Sequence, residues 1–183
     1  MLFRSNNSNL VRGRKIWSED FAEARGHYHP YSWERLRSKK LSPSENMLAS
    51  LIQESGRFDR VALGAGCFWH VEHALSRLPG VVNTTVGFAG GTGKQNPTYA
   101  DVSNGDTGHA EVVLVTFDPL ILSSRTLFDC FFAMHDPSMV RSHGKRAQGS
   151  GQYRSCIIVE SDEMSGVAED ALDECQKIGR AHV

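Results

Sequence analysis

Three residue types along this chain could together do nucleophilic and acid chemistry: a thiol at Cys67, a carboxyl at Glu111 and two phenols at Tyr99 and Tyr153. Cys67 lies in Gly66-Cys67-Phe68-Trp69, just after an apolar segment and at the start of a helical repeat of apolar residues. At such a strand-to-helix turn the side chain at the apex is exposed and the free N–H groups of the helix point toward it. Both the amides and the helix dipole favour thiolate, the attacking form, so Cys67 is expected to ionise more easily than an ordinary cysteine. Glu111 follows Thr107-Gly108-His109-Ala110 in an alternating segment and shares its face with Val113, Val115 and Phe117. A carboxylate on an apolar face is costly to ionise. Its pKa should rise, leaving an acid able to donate a proton near neutral pH. Tyr99 ends Asn96-Pro97-Thr98-Tyr99 in a Gly-rich connection, and Tyr153 follows Gly151-Gln152 at the opening of another apolar run. Taken singly these signals are weak. A cysteine beside aromatics is as readily a small buried hydrophobe, and a glutamate at a strand end as readily reaches solvent.

The elements that must position these groups can be read from hydrophobic periodicity. Strands are expected over 58–64, 81–88, 110–117 and 153–159, and helices over 67–78, 123–134 and 162–177. Ser123 reads as the cap of the second helix, with Leu127, Phe128, Phe131 and Met134 on its buried stripe. Ser161, Asp162 and Glu163 read as the cap and acidic first turn of the third. The order βαββαβα predicts an α+β fold: a two-layer α/β sandwich with a ferredoxin-like (split βαβ) core, a mostly antiparallel sheet and helices on one face.

Composition narrows the class. With 183 residues, 40% hydrophobic and 22% charged, the chain can bury one core. A net charge of −1 offers nothing to nucleic acid or an anionic membrane. No run approaches the roughly 20 apolar residues of a membrane span. Cys67, Cys130, Cys156 and Cys175 lack paired spacing, which favours a reducing compartment over a disulfide framework. Cys130 and Cys175 fall on apolar helix stripes and are expected in the core. Cys156 falls on the strand face opposite Tyr153, and none of the three reads as a resolving thiol. A cytoplasmic location is expected, with an organellar one left open by Arg4, Arg12 and Arg14; Glu19, Asp20 and Glu23 oppose a long transit peptide. In the first 55 residues Trp17, Tyr28, Tyr31 and Trp33 show no clear period, and His27 with His29 lack a third ligand, so no metal is expected.

Gly66-Cys67-Phe68-Trp69, Asn96-Pro97-Thr98-Tyr99, Thr107-Gly108-His109-Ala110-Glu111-Val112-Val113, His135-Asp136-Pro137 and Gln152-Tyr153-Arg154-Ser155 together resemble the A-type peptide methionine sulfoxide reductases. The resemblance runs from Phe58 to Val159, in the family's order. It implies the same fold and a peptide-methionine (S)-S-oxide reductase acting on methionine S-sulfoxide, free or in proteins, as repair after oxidative damage. Cys67 would be the nucleophile, left as a sulfenic acid. Glu111 would be the acid at the sulfoxide oxygen, Tyr99 and Tyr153 the phenols holding that oxygen, and Phe68 and Trp69 the walls around the S-methyl group. No bound cofactor is implied; the reductant would be thioredoxin for the full-length protein, whereas this chain, without the recycling segment, is expected to turn over with a small dithiol but poorly with thioredoxin, and to be a monomer.

Two features depart from that family's pattern. The family's Gly-Asn-Asp or Gly-Pro-Asp run before Gln-Tyr-Arg-Ser is replaced by Gly144-Lys145-Arg146-Ala147-Gln148-Gly149-Ser150-Gly151, without an acid. The chain also stops where the family continues into an aromatic, His-containing segment that often carries the recycling cysteines. Ile178-Gly179-Arg180-Ala181-His182-Val183 and Leu2-Phe3-Arg4-Ser5 both translate the ends of a common sequencing adapter, so residues 178–183 are expected to be read-through. Different codons at both ends would sink that idea. The expected organisation is therefore an N-terminal extension over 1–55, an incomplete reductase domain over 56–177, and the read-through. Two other readings stay open: an inactive reductase-like fragment that binds methionine-containing peptides, and a thiol sensor in which Cys67 reacts with peroxide.

Overall fold

In the computed structural model the apolar alternation of the sequence becomes four antiparallel strands. β4 (Asp59–Ala65) and β6 (Ala110–Phe117) lie at the centre, flanked by β7 (Ser155–Val159) and β5 (Val81–Ala89). Placing the two non-consecutive strands side by side is what interleaved βαβ units produce, so the expected α+β, ferredoxin-like sandwich is found. Three short strands, β1 (Arg4–Ser5), β2 (Ser8–Arg12) and β3 (Ala22–Glu23), extend the sheet to seven strands in the order β1-β2-β7-β4-β6-β5-β3. β2 runs parallel to β7, with Leu10 opposite Ile157, and β3 pairs with β5 at the other edge. The structure describes residues 4–5, 8–12, 22–23, 58–91, 96–137 and 151–181. The readings of Trp17, His27, Tyr28, His29, Tyr31, Trp33, Lys145 and Arg146 fall outside them.

One face of the sheet carries the main core. Val61, Leu63, Ala65, Val113, Val115, Phe117, Ile157 and Val159 point to the side where the helices lie. There they meet Phe68, Val71 and Leu75 of α1 (Phe68–Leu75), Val102 of α2 (Tyr99–Ser103), Leu127, Phe128 and Phe131 of α3 (Ser124–Ala133), and Met164, Ala168 and Ala171 of α4 (Asp162–Ala181). The largest of these side chains are fully buried, and each contributes about 1.5–3 kcal/mol relative to exposure. Ala62, Ala89, Ala110, Val112, Cys156 and Ile158 form a second buried cluster on the opposite face.

Several element boundaries depart from expectation for local reasons. α1 ends at Leu75 instead of running to residue 78. Beyond it Arg77 N–H bonds to Ala74 O and Leu78 N–H to Leu75 O, tightening the chain ahead of Pro79, which disfavours helix in the residue before it. α2 was not expected. It is nucleated by a capping box in which Thr98 Oγ1 accepts from Asp101 N–H (3.3 Å) and Asp101 Oδ2 from Thr98 N–H (2.7 Å). β7 begins at Ser155, so Tyr153 belongs to the preceding turn, closed by Arg154 N–H on Gly151 O at 3.1 Å. Cys175 packs against the main core, whereas Cys130 is half-buried and outside the cluster, a correction to its expected core position. No described helix is long and apolar enough to cross a membrane. Among the described residues no group of three or more His, Cys, Asp or Glu could hold a metal ion.

Candidate active site

Strand register brings the chemistry to one end of the sheet. Ser155 pairs with Ala65, and Glu111 with Phe88. The β4–β6 register, continued one step on its face past Leu63 opposite Val113, sets Ala65 beside Glu111. Ser155, Ala65, Glu111 and Phe88 thus form a row across the helix-covered face, with the smallest side chain in the middle. The start of α1 passes this row, and Phe68 N–H donates to Glu111 Oε2 at 3.1 Å. Gly66 makes the entry turn at φ +107°, a backbone conformation that side chains with a Cβ rarely adopt. Cys67 therefore falls at the N-cap of α1, with extended backbone and no hydrogen bond from its side chain to the cap.

Glu111 is 2% exposed. Burial raises its pKa to about 7, against the pull of the Phe68 amide, which favours the carboxylate. The raised pKa expected from the apolar face is thus present. Cys67 behaves differently from expectation. Burial pushes its thiol up, the amides of Trp69 and His70 pull it down, and the nearby Glu111 charge pushes it up again; the net direction is upward. The helix terminus acts as anticipated but is outweighed by burial. Once Glu111 holds its proton, its opposition to ionisation at Cys67 disappears.

The phenols close over the same place. Tyr99 is the first residue of α2, immediately after the Thr98 cap, and its hydroxyl is hydrogen-bonded to that of Tyr153. Burial first, then Glu111, Tyr99 and Cys67, push the Tyr153 phenol well up, so it stays protonated and able to donate. Gln152 O accepts from Glu111 N–H at 2.7 Å and Ser103 Oγ donates to Gln152 Oε1 at 3.4 Å, tying the Tyr153 turn to both β6 and α2. Phe68 and Trp69 meet edge to face, 5.4 Å between centroids at 87°. Phe68 is buried and Trp69 half-buried, and Phe88 lies 5.9 Å from Phe68 and 6.4 Å from Tyr99, making a continuous aromatic floor.

All six expected residues therefore gather: Cys67, Glu111, Tyr99 and Tyr153 as the polar set, Phe68 and Trp69 as the apolar wall. Cys156 is fully buried on the opposite face, where burial raises its thiol pKa. Two groups were not read as site residues although their motifs were noted. His135 accepts from or donates to Ser155 Oγ through Nε2 (2.8 Å) and meets Phe131 O through Nδ1 (3.0 Å), which places an oriented imidazole beside the row. Arg154 spans Gly90 O and Gly151 O. The sequence offered only their neighbourhood to Tyr153 and Phe131, since the bonds from His135 to Ser155 and from Arg154 to Gly90 join residues far apart in the chain.

Comparison with known proteins gives the family. The family model for peptide methionine sulfoxide reductase matches residues 59–182. The chain is similar to the peptide methionine sulfoxide reductase MsrA of Methanoculleus marisnigri, 48% identical over 122 residues, covering 67% of this chain and 73% of that protein. It is 44% identical over 124 residues to MsrA of Methanothermobacter thermautotrophicus, covering 68% and 72%. Among solved structures, methionine sulfoxide reductase A of Corynebacterium diphtheriae shares 32% identity at a TM-score of 0.56, covering 67% of this chain and 60% of that one. Mxr1 from Saccharomyces cerevisiae in reduced form gives 32% and 0.56, with coverage of 67% and 73%. The match of the family model over residues 59–182 and the identity to these relatives, on a chain that gathers a half-buried thiol, a buried acid and two paired phenols at one sheet end, mean that the chain belongs to the peptide methionine sulfoxide reductase family of the A type.

Proposed function

We propose that this chain reduces methionine S-sulfoxide, in proteins or free, to methionine, with Cys67 as nucleophile and Glu111 as acid. The observation that carries this reading is the buried carboxyl of Glu111 with its pKa near 7, on the helix-covered face beside the turn that presents Cys67. At neutral pH about half of it is protonated, the condition under which a general acid works best. Cys67 sulfur attacks the sulfoxide sulfur as Glu111 gives its proton to the sulfoxide oxygen, and the thiol proton passes back to Glu111. The hydroxyl then passes from the substrate sulfur to the Cys67 sulfur as both the S–O bond and the transient sulfur–sulfur bond break, so that Cys67 is left as a sulfenic acid and methionine leaves. The substrate sulfur gains two electrons and Cys67 sulfur loses two. Tyr99 and Tyr153 donate to the oxygen where negative charge develops. Phe68 and Trp69 receive the S-methyl group, an interaction of about 1 kcal/mol that orients more than it binds. An external dithiol, small or thioredoxin, then attacks the sulfenic sulfur, releases water, and resolves the mixed disulfide with its second thiol.

The test is the intact mass of the protein after one equivalent of a methionine S-sulfoxide peptide, with the R epimer and Cys67→Ser as controls. Methionine formation from the S epimer alone, with an oxidised wild-type thiol, is expected. A folded protein inert to both epimers would instead favour an inactive, methionine-binding fragment. A peroxide sensor would leave the buried Glu111 and the two phenols without a role, so comparing sulfoxide with peroxide as the oxidant of Cys67 separates the two readings.

A further inference from the structure

Arg154 joins the two segments that carry the phenols. Its Nη2 donates to Gly90 O at 3.2 Å, just past the end of β5 where the chain departs toward Tyr99. Its Nη1 donates to Gly151 O at 3.4 Å, within the turn that carries Tyr153. The Arg154 amide bonds to the same Gly151 oxygen, so one carbonyl anchors both the backbone and the guanidinium. The receiving backbone has little space to spare: Gly90 has φ +74°, and a Cβ there would lie 3.1 Å from Nη2. The two segments meet through the Tyr99–Tyr153 hydrogen bond, and again through Ser103, at the far end of α2, and Gln152. Only a planar fork with several donors reaches two carbonyls on separate segments; an ammonium is a point donor on a flexible stem.

We propose that Arg154 is a positioning residue that clamps the bases of both segments, so that the Tyr99 and Tyr153 hydroxyls are held against each other. Its effect on catalysis rests on the reading above, in which those hydroxyls bind the sulfoxide oxygen. The clamp's side-chain bonds go to Gly90 O and Gly151 O at the base of the loops, not to the Cys67 thiol or the Glu111 carboxyl. Displacing a catalytic group by about 1 Å can cost on the order of 100-fold, so the clamp's influence on rate is large although Arg154 touches no reacting atom.

The experiment compares the wild-type chain with Arg154→Ala and Arg154→Lys, each also in a Tyr99→Phe/Tyr153→Phe background. Two readouts are taken: single-turnover methionine formation from the S-sulfoxide peptide without reductant, and amide hydrogen exchange. In the tyrosine background the Arg154→Ala change is expected to cost about 10- to 100-fold, and in the phenylalanine background less than about threefold, because the groups it positions are gone. Lysine should fail to rescue. An equal loss in both backgrounds would make Arg154 a general structural residue and overturn the proposal. In hydrogen exchange, amides of residues 99–103 and 151–154 should lose at least tenfold protection, with Glu111 N–H, which bonds to Gln152 O, while the amides of β6 from residue 112 on keep theirs. Unchanged protection there would overturn the clamp. Should Arg154→Ala unfold, Arg154→Lys supports the same comparison. A wild-type chain inert to sulfoxide, with the exchange result as expected, would sink the reductase reading and leave the clamp standing.

Discussion

α1 and α3 do the same structural work and begin in opposite ways. Each follows a strand, packs an apolar stripe on the same sheet face, and contributes fully buried phenylalanines to one core. α3 starts at Ser123, whose Oγ accepts from Thr126 N–H at 3.1 Å, the usual means of satisfying a free helix amide. α2 has its capping box, and Ser161 accepts from Met164 N–H at the head of α4. α1 alone among these has a cysteine at the cap position and no side-chain cap bond. Its first amide instead serves Glu111, and those of Trp69 and His70 act on the Cys67 sulfur. Where α3 spends its terminal donors on its own stability, α1 directs them at the groups that do chemistry.

That difference can be broken most severely at Cys67. Cys67→Ser should abolish sulfoxide reduction, a loss of more than about 1,000-fold in single turnover. It should also stabilise the fold by about 0.5–1 kcal/mol in urea melts, since serine caps where cysteine does not. A serine variant less stable than the parent would show that α1 is already adequately capped.

Glu111→Gln comes next, with an expected loss of about 100- to 1,000-fold. The wild-type rate of the sulfoxide step should fall as pH rises through about 7, the pKa of Glu111, and the variant should lack that limb. Stability follows the same group. Its folded pKa lies above the ordinary carboxyl value, so the folded state holds more protons and stability declines from about pH 4.5 to about pH 7. Glutamine removes that slope, and its melts should be the more stable above pH 7 by up to about 3 kcal/mol. A variant whose pH–stability curve parallels the wild type would refute the buried-acid account.

Gly66→Ala sharpens the comparison at the entry turn. With φ at +107° a Cβ is strained, and a cost of at least about 1–2 kcal/mol is expected, with a slower sulfoxide step as Cys67 is displaced. The smallest effect belongs to α3: Ser123→Ala should cost about 1 kcal/mol of stability and leave turnover per folded molecule unchanged. A substantial loss of turnover there would mean that the two helices are not functionally separable.

Much of this was legible in the residues. Val61, Leu63, Val113, Val115 and Phe117 alternate with period two, and Leu127, Phe128 and Phe131 recur at helical spacing, so strands, helices and their apolar faces follow from side-chain direction alone. Glu111 could be placed on an apolar face, and its raised pKa anticipated, by the same alternation. α2 was missed because five residues show no periodicity and its signal is the Thr98–Asp101 box alone. The start of β7 was placed too early because Tyr153 and Arg154 look like strand residues but are held in a turn by Gly151.

The order of residues by itself determined the βαββαβα succession, the placement of Cys67 at a helix start and the membership of Glu111 in a buried face, because periodicity and capping act within a few residues. The tertiary structure alone decided the net direction of the Cys67 thiol, where burial and Glu111 outweigh two amides. It also decided the Phe68–Glu111 bond and the meeting of Tyr99 with Tyr153. Those depend on strand register, which sets which residues separated widely in the chain share a row, and on the local dielectric that packing creates.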